Sequence, residues 1–598
     1  MPAIRFAEEQ SMKVLFVWTD VETNYAPTAY HIGVAYLSGA LKTAGHKTSL
    51  FRFDTLLEKD EFLRKLDESE KPDILAFSAM TNQFDYCTRL AAWAREKWPE
   101  VPILFGGHHP TLSAEEAIAV PAIDMICLGE GEEALVELVD RMAKGEDFSD
   151  VRNLWIKRDG EIIKNDVRPL HGDINALPFM DLDIYNLNEL FAYSGIDLYV
   201  MAGRGCPFQC TYCCNPAMVR FYKGKGKVVR KRTVDKVMEE LRYHLKNYPR
   251  ISYMGFQDET FTLDKKWVLE FCRAYKKEFG LPFSTMVRAE TLDEEIVRTM
   301  ADAGCDLMRI GVESGSEWLR SNVLKRHMTN EQIINAFDLA EKYGIRTGAF
   351  AMMGMPYETP EMVEETIALL RRCNPNNLQL SIFYPLPGTE LFDVCEREGF
   401  LTGDKAMSYF DRPVLNLPTI TREQVSNYFA GFHREFLQNL ATKESQGLYD
   451  FVSHFGSAQV KTPSPDYVCL SSFVEEHPRT IVLQAHPPST VTYRIKIPEN
   501  AVLDFDILMA PWTYEMPGEG VRFTINVNRK RVFRHYLDPK KNKKDRAWHR
   551  FVVDLKKYGG KEVDISLVTE PGPSGDNSYC TAGWGRPFIA LKEDVPPE

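Results

Sequence analysis

Long apolar runs are missing from this chain of 598 residues. No stretch approaches the ~18 consecutive apolar residues of a membrane-spanning helix, so no transmembrane segment is expected. The N-terminus, MPAIRFAEEQSMKVLFVWTD, has no basic segment leading into a long apolar run, so a secretory signal is not expected either. Cysteine is sparse, 12 in 598 residues, which argues against a disulfide framework. Together these absences point to a cytoplasmic protein, where thiols stay reduced. Positive charge is also short: a net charge of −13 argues against general nucleic-acid binding. One local stretch, RFYKGKGKVVRKR (220–232), opposes that average and could meet an anionic substrate or cofactor, or stand as a solvated loop. The rest, 44% hydrophobic and 26% charged, is ordinary globular composition, and the length implies about three to four domains.

Three of the cysteines stand together. GRGCPFQCTYCCNP sets Cys206, Cys210 and Cys213 in a C-x3-C-x2-C run, three thiolates for a metal centre. Zinc normally takes four ligands, and no histidine lies nearby in sequence; Cys214 could complete a set, though adjacent cysteines rarely both reach one metal. Ferredoxin patterns supply four cysteines to a cube of four irons, whereas three leave one iron open to a ligand other than the protein. The triplet resembles the signature of the radical S-adenosylmethionine (SAM) superfamily. The resemblance implies a [4Fe-4S] cluster on Cys206, Cys210 and Cys213, whose open iron chelates SAM and delivers the electron that cleaves it to a 5′-deoxyadenosyl radical. It also implies that Tyr212 packs near the adenine of SAM.

Residues 12–150 alternate short apolar strands (MKVLFVWT, KTSLFRF, PDILAFSAMT, VPILFGG, MICLGEG) with amphipathic helices, the pattern of a doubly wound, Rossmann-like parallel sheet. Such sheets bind ligands beyond the carboxyl ends of their strands, here Ser78 to Thr81, Gly106-Gly107 and Gly129-Glu130-Gly131. The order of these loops ahead of the cysteine triplet resembles the cobalamin-binding domain of cobalamin-dependent radical SAM enzymes. That resemblance assigns Ser78, Thr81, Gly106, Gly107, Gly129, Glu130 and Gly131 to cobalamin. The sequence departs from the family in having no D-x-H-x-x-G after the first strand, and His31, His108 and His109 do not lie in such a motif.

Residues 151–195 form a connector with a hairpin-like LWIKRDGEIIKND that turns at Asp159-Gly160. Residues 196–400 return to strand-helix alternation with a longer period, six βα units that predict a partial (β/α)6 barrel. Its strand ends carry the cluster loop, Asp258-Glu259, Arg288, Glu313, GMP (354–356) and PLPGTE (385–390). Asp258 and Glu259 suit a cationic methionyl amine or cap the following helix; Arg288 suits the SAM carboxylate or stands on the surface. Glu313, in RIGVESGSE, is placed by the resemblance at the ribose hydroxyls of SAM.

Residues 401–464 read as a helical extension and linker, and 465–598 as about seven alternating strands of an antiparallel β-sandwich, jelly-roll-like in pattern. Trp512, Tyr514, Trp548 and Trp584 could form a sugar-stacking face or lie in the core. The whole is therefore an α/β multidomain chain with an all-β end. The expected activity is a radical SAM enzyme, a cobalamin-dependent methyltransferase acting on an unactivated carbon. A non-methylating radical enzyme and a corrinoid-sensing regulatory protein are the alternatives. A small-molecule, lipid or glycan substrate and an electron donor such as flavodoxin or ferredoxin are the partners this reading implies.

Overall fold

The structure is a computed structural model that describes residues 11–19, 21, 30–53, 56–187, 196–443, 447–464, 467–472, 481–510, 513, 514, 516 and 518–595. The chain divides into two compact units, residues 1–429 and 430–598. The expected α/β module, connector and barrel all lie in the first.

In that unit β1 (Lys13–Thr19), β2 (Lys47–Phe53), β3 (Ile74–Ser78), β4 (Ile103–Gly106) and β5 (Met125–Cys127) run parallel in the order β2-β1-β3-β4-β5. Strand order reverses between β1 and β3, which leaves a crevice at their carboxyl ends. Helices on both faces explain why β1 and β3 read as near-continuous apolar runs rather than as alternating ones. Two features of this sheet go beyond the sequence expectation. The hairpin expected in the connector, β6 (Leu154–Arg158) and β7 (Glu161–Lys164), extends this sheet antiparallel beside β5. Its turn works as expected, with Asp159 and Gly160 at φ 54° and 83°. A short helix, His108–Leu112, follows the two glycines after β4.

All six barrel strands form where the pattern placed them: β8 (Ile196–Val200), then, after a two-stranded antiparallel pair β9 (Gly203–Arg204) and β10 (Arg230–Lys231), β11 (Ile251–Phe256), β12 (Phe283–Val287), β13 (Cys305–Glu313), β14 (Arg346–Met353) and β15 (Asn377–Ile382). The six are parallel and in sequence order, an open half-barrel. Period-two alternation separates their faces. Phe256 and Phe283 pack against Phe271 and Tyr275 of the helix Lys265–Glu278, so that face is the outer one. In β12 the inner face carries Ser284 and Met286, while Thr285 and Val287 share the outer face with Phe283.

The second unit is two antiparallel sheets. One has the order β18 (Val468–Ser472), β19 (Ile481–Ala485), β26 (Ala582–Leu591), β21 (Ala501–Met509), β24 (His549–Asp554), with β16 (Tyr449–Asp450) also pairing with β26. The other is β17 (Gln459–Lys461), β20 (Ser489–Lys496), β25 (Glu562–Pro571), β22 (Val521–Val527), β23 (Lys530–Leu537). Phe505 meets Phe533, and Phe523 meets Trp584, across the two sheets. The expected helical extension is therefore corrected at its end: its helix is Arg422–Lys443, and β16 and β17 join the sheets. The aromatic face is corrected too. Trp584 is fully buried between Phe505 and Phe523, Trp548 lies half-buried across Gly585, and Tyr514 stacks under Arg546. Trp512 lies outside the described residues. Trp584→Ala is expected to cost about 3–5 kcal/mol, and Trp548→Ala clearly less, in denaturant unfolding of the full chain; equal losses would contradict this assignment of core and surface.

Candidate active site

The cluster loop leaves β9 at Arg204 and returns at β10. Gly205 adopts φ +83°, and a Cβ there would stand 2.5 Å from Val228 O, so only glycine makes this entry. Thr211 clamps the loop from both sides: its N–H and hydroxyl donate to Leu324 O (3.1 Å) and Val323 O (2.7 Å), and its carbonyl accepts from Leu391 N. Cys213 caps the helix Cys214–Phe221, its sulfur accepting from Asn215 N at 3.5 Å. Cys206 and Cys210 are buried, Cys213 is half-buried, and all three thiols are free. Burial pushes the Cys206 thiol up; the neighbouring Cys214 thiol and burial together hold Cys213 well above its ordinary range. Thiols in such a pocket give up their protons to a metal centre rather than to water.

Arg288 is not a surface residue. Its Nη1 lies 3.4 Å from Cys210 Sγ, its guanidinium stacks 3.7 Å over Phe208, and Glu290 grips its other edge, Nε to Oε1 at 2.8 Å. One edge of the guanidinium is taken by Glu290 and one donor points at the cluster loop, and a role toward the SAM carboxylate stays a proposal. Asp258 is likewise occupied, accepting from Ala202 N (3.0 Å) and Lys231 Nζ (3.0 Å). It neither caps the helix, where Asp264 does so, nor presents a free oxygen to an amine. Glu259 accepts from Gly205 N at 3.2 Å, tying β11 to the cluster loop, and burial pushes its carboxyl up.

Glu313 stands where expected, at the end of β13, in the left-handed conformation (φ +65°) at a bulge against β14. A non-glycine residue there is strained. Arg326 supports it: Nη2 lies 3.8 Å from Glu313 Oε1 and donates to Gly311 O at 2.6 Å. Nη1 of the same guanidinium lies 3.5 Å from the hydroxyl of Tyr212 and 4.0 Å from Cys210 Sγ. Arg326 thus joins the strand end to the cluster loop. Sequence reading missed it, because VLKRHMT carries no strand-end pattern.

The expected cofactor-facing residues of the α/β module fall into two groups. Ser78, Thr81, Gly106 and Gly107 lie at the open ends of β3 and β4, where Met80, Gly107 and His108 are exposed. Gly107 has φ +100° and lies so close to Ala79 O that a Cβ would stand 2.9 Å away. The Gly129-Glu130-Gly131 turn is closed instead. Tyr222 covers it: its hydroxyl accepts from Glu130 N at 2.7 Å, and a Cβ on Gly129 would lie 1.8 Å from that oxygen. The Glu130 side chain, expected at a cofactor, is ion-paired with Arg230 and, at 3.4 Å, with Arg204, and Glu132 also holds Arg204. Most of the basic stretch is neutralised this way. Lys225 pairs with Asp166, Arg230 with Glu130, Lys231 with Asp258 and Arg232 with Glu240.

These residues fit an iron-sulfur cluster. Three free thiols share one loop, with guanidinium N–H donors aimed at Cys210, and among the described residues no three His, Cys, Asp or Glu side chains close on a single ion. Gly107, exposed and in the left-handed region at the β3–β4 ends, fits the close approach of a B12 tail. Residues 200–370 match the family model of the radical SAM superfamily, and residues 19–139 that of the B12 binding domain; the chain carries both domains. It is similar to an uncharacterized methyltransferase of Pyrococcus horikoshii, 29% identical over 425 residues that cover 69% of this chain and 90% of the relative. It is also similar to the anaerobic magnesium-protoporphyrin IX monomethyl ester cyclase of Rubrivivax gelatinosus, 27% identical over 454 residues, 72% of this chain and 78% of that one. Among solved structures it is similar in fold to the radical S-adenosylmethionine methyltransferase TsrM of Kitasatospora setae, solved with cobalamin and a [4Fe-4S] cluster bound. That match has a TM-score of 0.53 and 17% identity, and covers 65% of this chain and 76% of the other.

The β14 end carries a carboxyl of its own. Glu358 is wholly buried; its Oε2 accepts from Gly354 N (2.5 Å) and Met355 N (3.2 Å), while Oε1 has no partner, and burial pushes its pKa up to about 8. Its folded pKa lies above the unfolded one, so its contribution to stability is complete below the ordinary glutamate range and is lost as pH rises through about 8. The melting temperature of the wild-type chain is expected to fall from about pH 5 to about pH 8, and Glu358→Gln to flatten that slope; an unchanged slope would contradict a protonated Glu358.

Proposed function

We propose that this chain, built on radical SAM and B12-binding domains, is a cobalamin-dependent methyltransferase that acts on an unactivated carbon. The observation that carries the reading is the meeting of three cysteines of one loop with Glu313 of β13, joined by Arg326, at the mouth of a parallel half-barrel. When bound, a cluster on Cys206, Cys210 and Cys213 supplies the electron for SAM cleavage, and cobalamin supplies the methyl carrier. The chain's own residues prepare for this. Arg288 and Arg326 direct N–H groups toward the Cys210 sulfur, which suits an anionic ligand. Glu313, held from one side by Arg326, leaves its carboxylate at the mouth to accept from hydroxyl donors. Tyr212, Met355 and Leu319 share one apolar cluster beside the loop and limit the access of water to it.

Among the described residues no helix is long and apolar enough to cross a membrane, and all twelve cysteines are free. The free thiols go with a cytoplasmic location, and the radical SAM reading calls for an electron donor of the flavodoxin or ferredoxin kind. A second reading, ring closure without methyl transfer, is favoured by the likeness to a cyclase. Anaerobic reconstitution with iron and sulfide is expected to give cluster absorption that Cys206→Ala, Cys210→Ala and Cys213→Ala together abolish. Reduced protein should then release 5′-deoxyadenosine from SAM, and Glu313→Ala should weaken SAM binding about tenfold. Absorption that survives the triple change, or unaltered SAM affinity, would reject the respective assignment.

A further inference from the structure

The inner face of the barrel carries a cation, Arg309, that has no carboxylate partner among the described residues. Met308, Ile310 and Val312 of β13 are fully buried on the outer face, so Arg309, Gly311 and Glu313 point inward. Arg309 is half-buried there. Its register neighbours are Met286 of β12 and Gly348 of β14, and its Cγ packs over Gly348, where an added Cβ would stand 3.3 Å away. Nη1 donates to Ser284 Oγ at 2.9 Å. Among the described residues no carboxylate pairs with Arg309. The arginines around it are matched: Arg288 by Glu290, Arg326 by Glu313 and Arg346 by Asp306. The inner face nearby is open and largely apolar, with Met286, Phe350 and Met352 half-buried while Val287, Ala351 and Met353 on the outer face are buried.

A guanidinium is charged at every accessible pH and offers five N–H donors in a planar fork that fits carboxylate and phosphate oxygens. Inside a protein wall such a charge calls for water or an anion. We propose that Arg309, with the Ser284 hydroxyl, anchors an anionic group of the substrate, a carboxylate or a phosphoryl or phosphonate group, in the barrel lumen. The apolar body of that molecule then lies along Met286, Phe350 and Met352 toward the mouth. Glu313 lies four residues farther along β13, about 13 Å at the strand rise, so one small molecule spans the distance between anchor and mouth. This inference rests on the radical SAM reading for the role of the lumen as a substrate chamber.

The test uses the full chain, reconstituted with its cluster and supplied with SAM but no reductant. Pentanoate, butylphosphonate and the neutral pentanamide are titrated by saturation-transfer NMR. At least one anion is expected to bind about tenfold more tightly than pentanamide, and the better of the two separates a carboxylate from a phosphoryl or phosphonate source. Arg309→Gln is expected to abolish that preference and Arg309→Lys to retain part of it. Equal binding of anions and amide in the wild type, or a preference that survives Arg309→Gln, overturns the proposal. If Arg309→Gln does not fold, Ser284→Ala should weaken the preference, and an unchanged preference there counts against the anchor. If no cluster forms in the wild type, the radical reading fails, while the titration still decides whether Arg309 binds anions.

Discussion

The cluster loop depends on four charges that face one another across the two domains of the first unit. Arg204 of β9 and Arg230 of β10 are direct cross-strand partners, and two like charges so placed repel. Glu130 and Glu132, which flank the glycine turn after β5, supply the opposing charges. Burial works against the Glu132 carboxylate, yet Arg204 holds its pKa below the ordinary range. Removing any one member leaves a buried charge unmatched, which is far more costly than losing a surface pair. The docking of the short pair that brackets the cysteines on the α/β module offsets the repulsion of Arg204 and Arg230. Tyr222 and Gly129 complete the contact, with the glycine present because no Cβ fits under the tyrosine hydroxyl.

From that anchored loop the site extends by further charge matching. Lys231, next to Arg230, holds Asp258 at the end of β11, and Glu259 returns to Gly205. Arg288 and Arg326 reach Cys210 from β12 and from the segment after β13, each with its own carboxylate partner. Donors fixed in this way need no rearrangement when charge arrives, which is the condition for electrostatic preorganisation. Among the described residues the matching stops at Arg309, the position proposed to receive the substrate's own charge. The second unit has a core of its own, in which its two sheets close around Phe505, Phe523 and Trp584.

The sequence by itself determined the six barrel strands, the five parallel strands of the α/β module and the position of the three cysteines. Each rests on a local signal: apolar periodicity, glycine at a strand end, or thiols at fixed spacing. It also determined the place of Glu313, because a strand end can be read from its own residues. Tertiary structure alone decided the partners. Glu130 meets Arg230 across a hundred residues, Asp258 meets Lys231, and Arg326 reaches back to Cys210. No local pattern records such pairings, since a charged side chain looks the same in sequence whether it faces solvent, a cofactor or a buried counter-ion. The same holds for Trp584, whose sequence suited an exposed face and the core alike, and for β6 and β7, whose hairpin was legible while the sheet it joins was not.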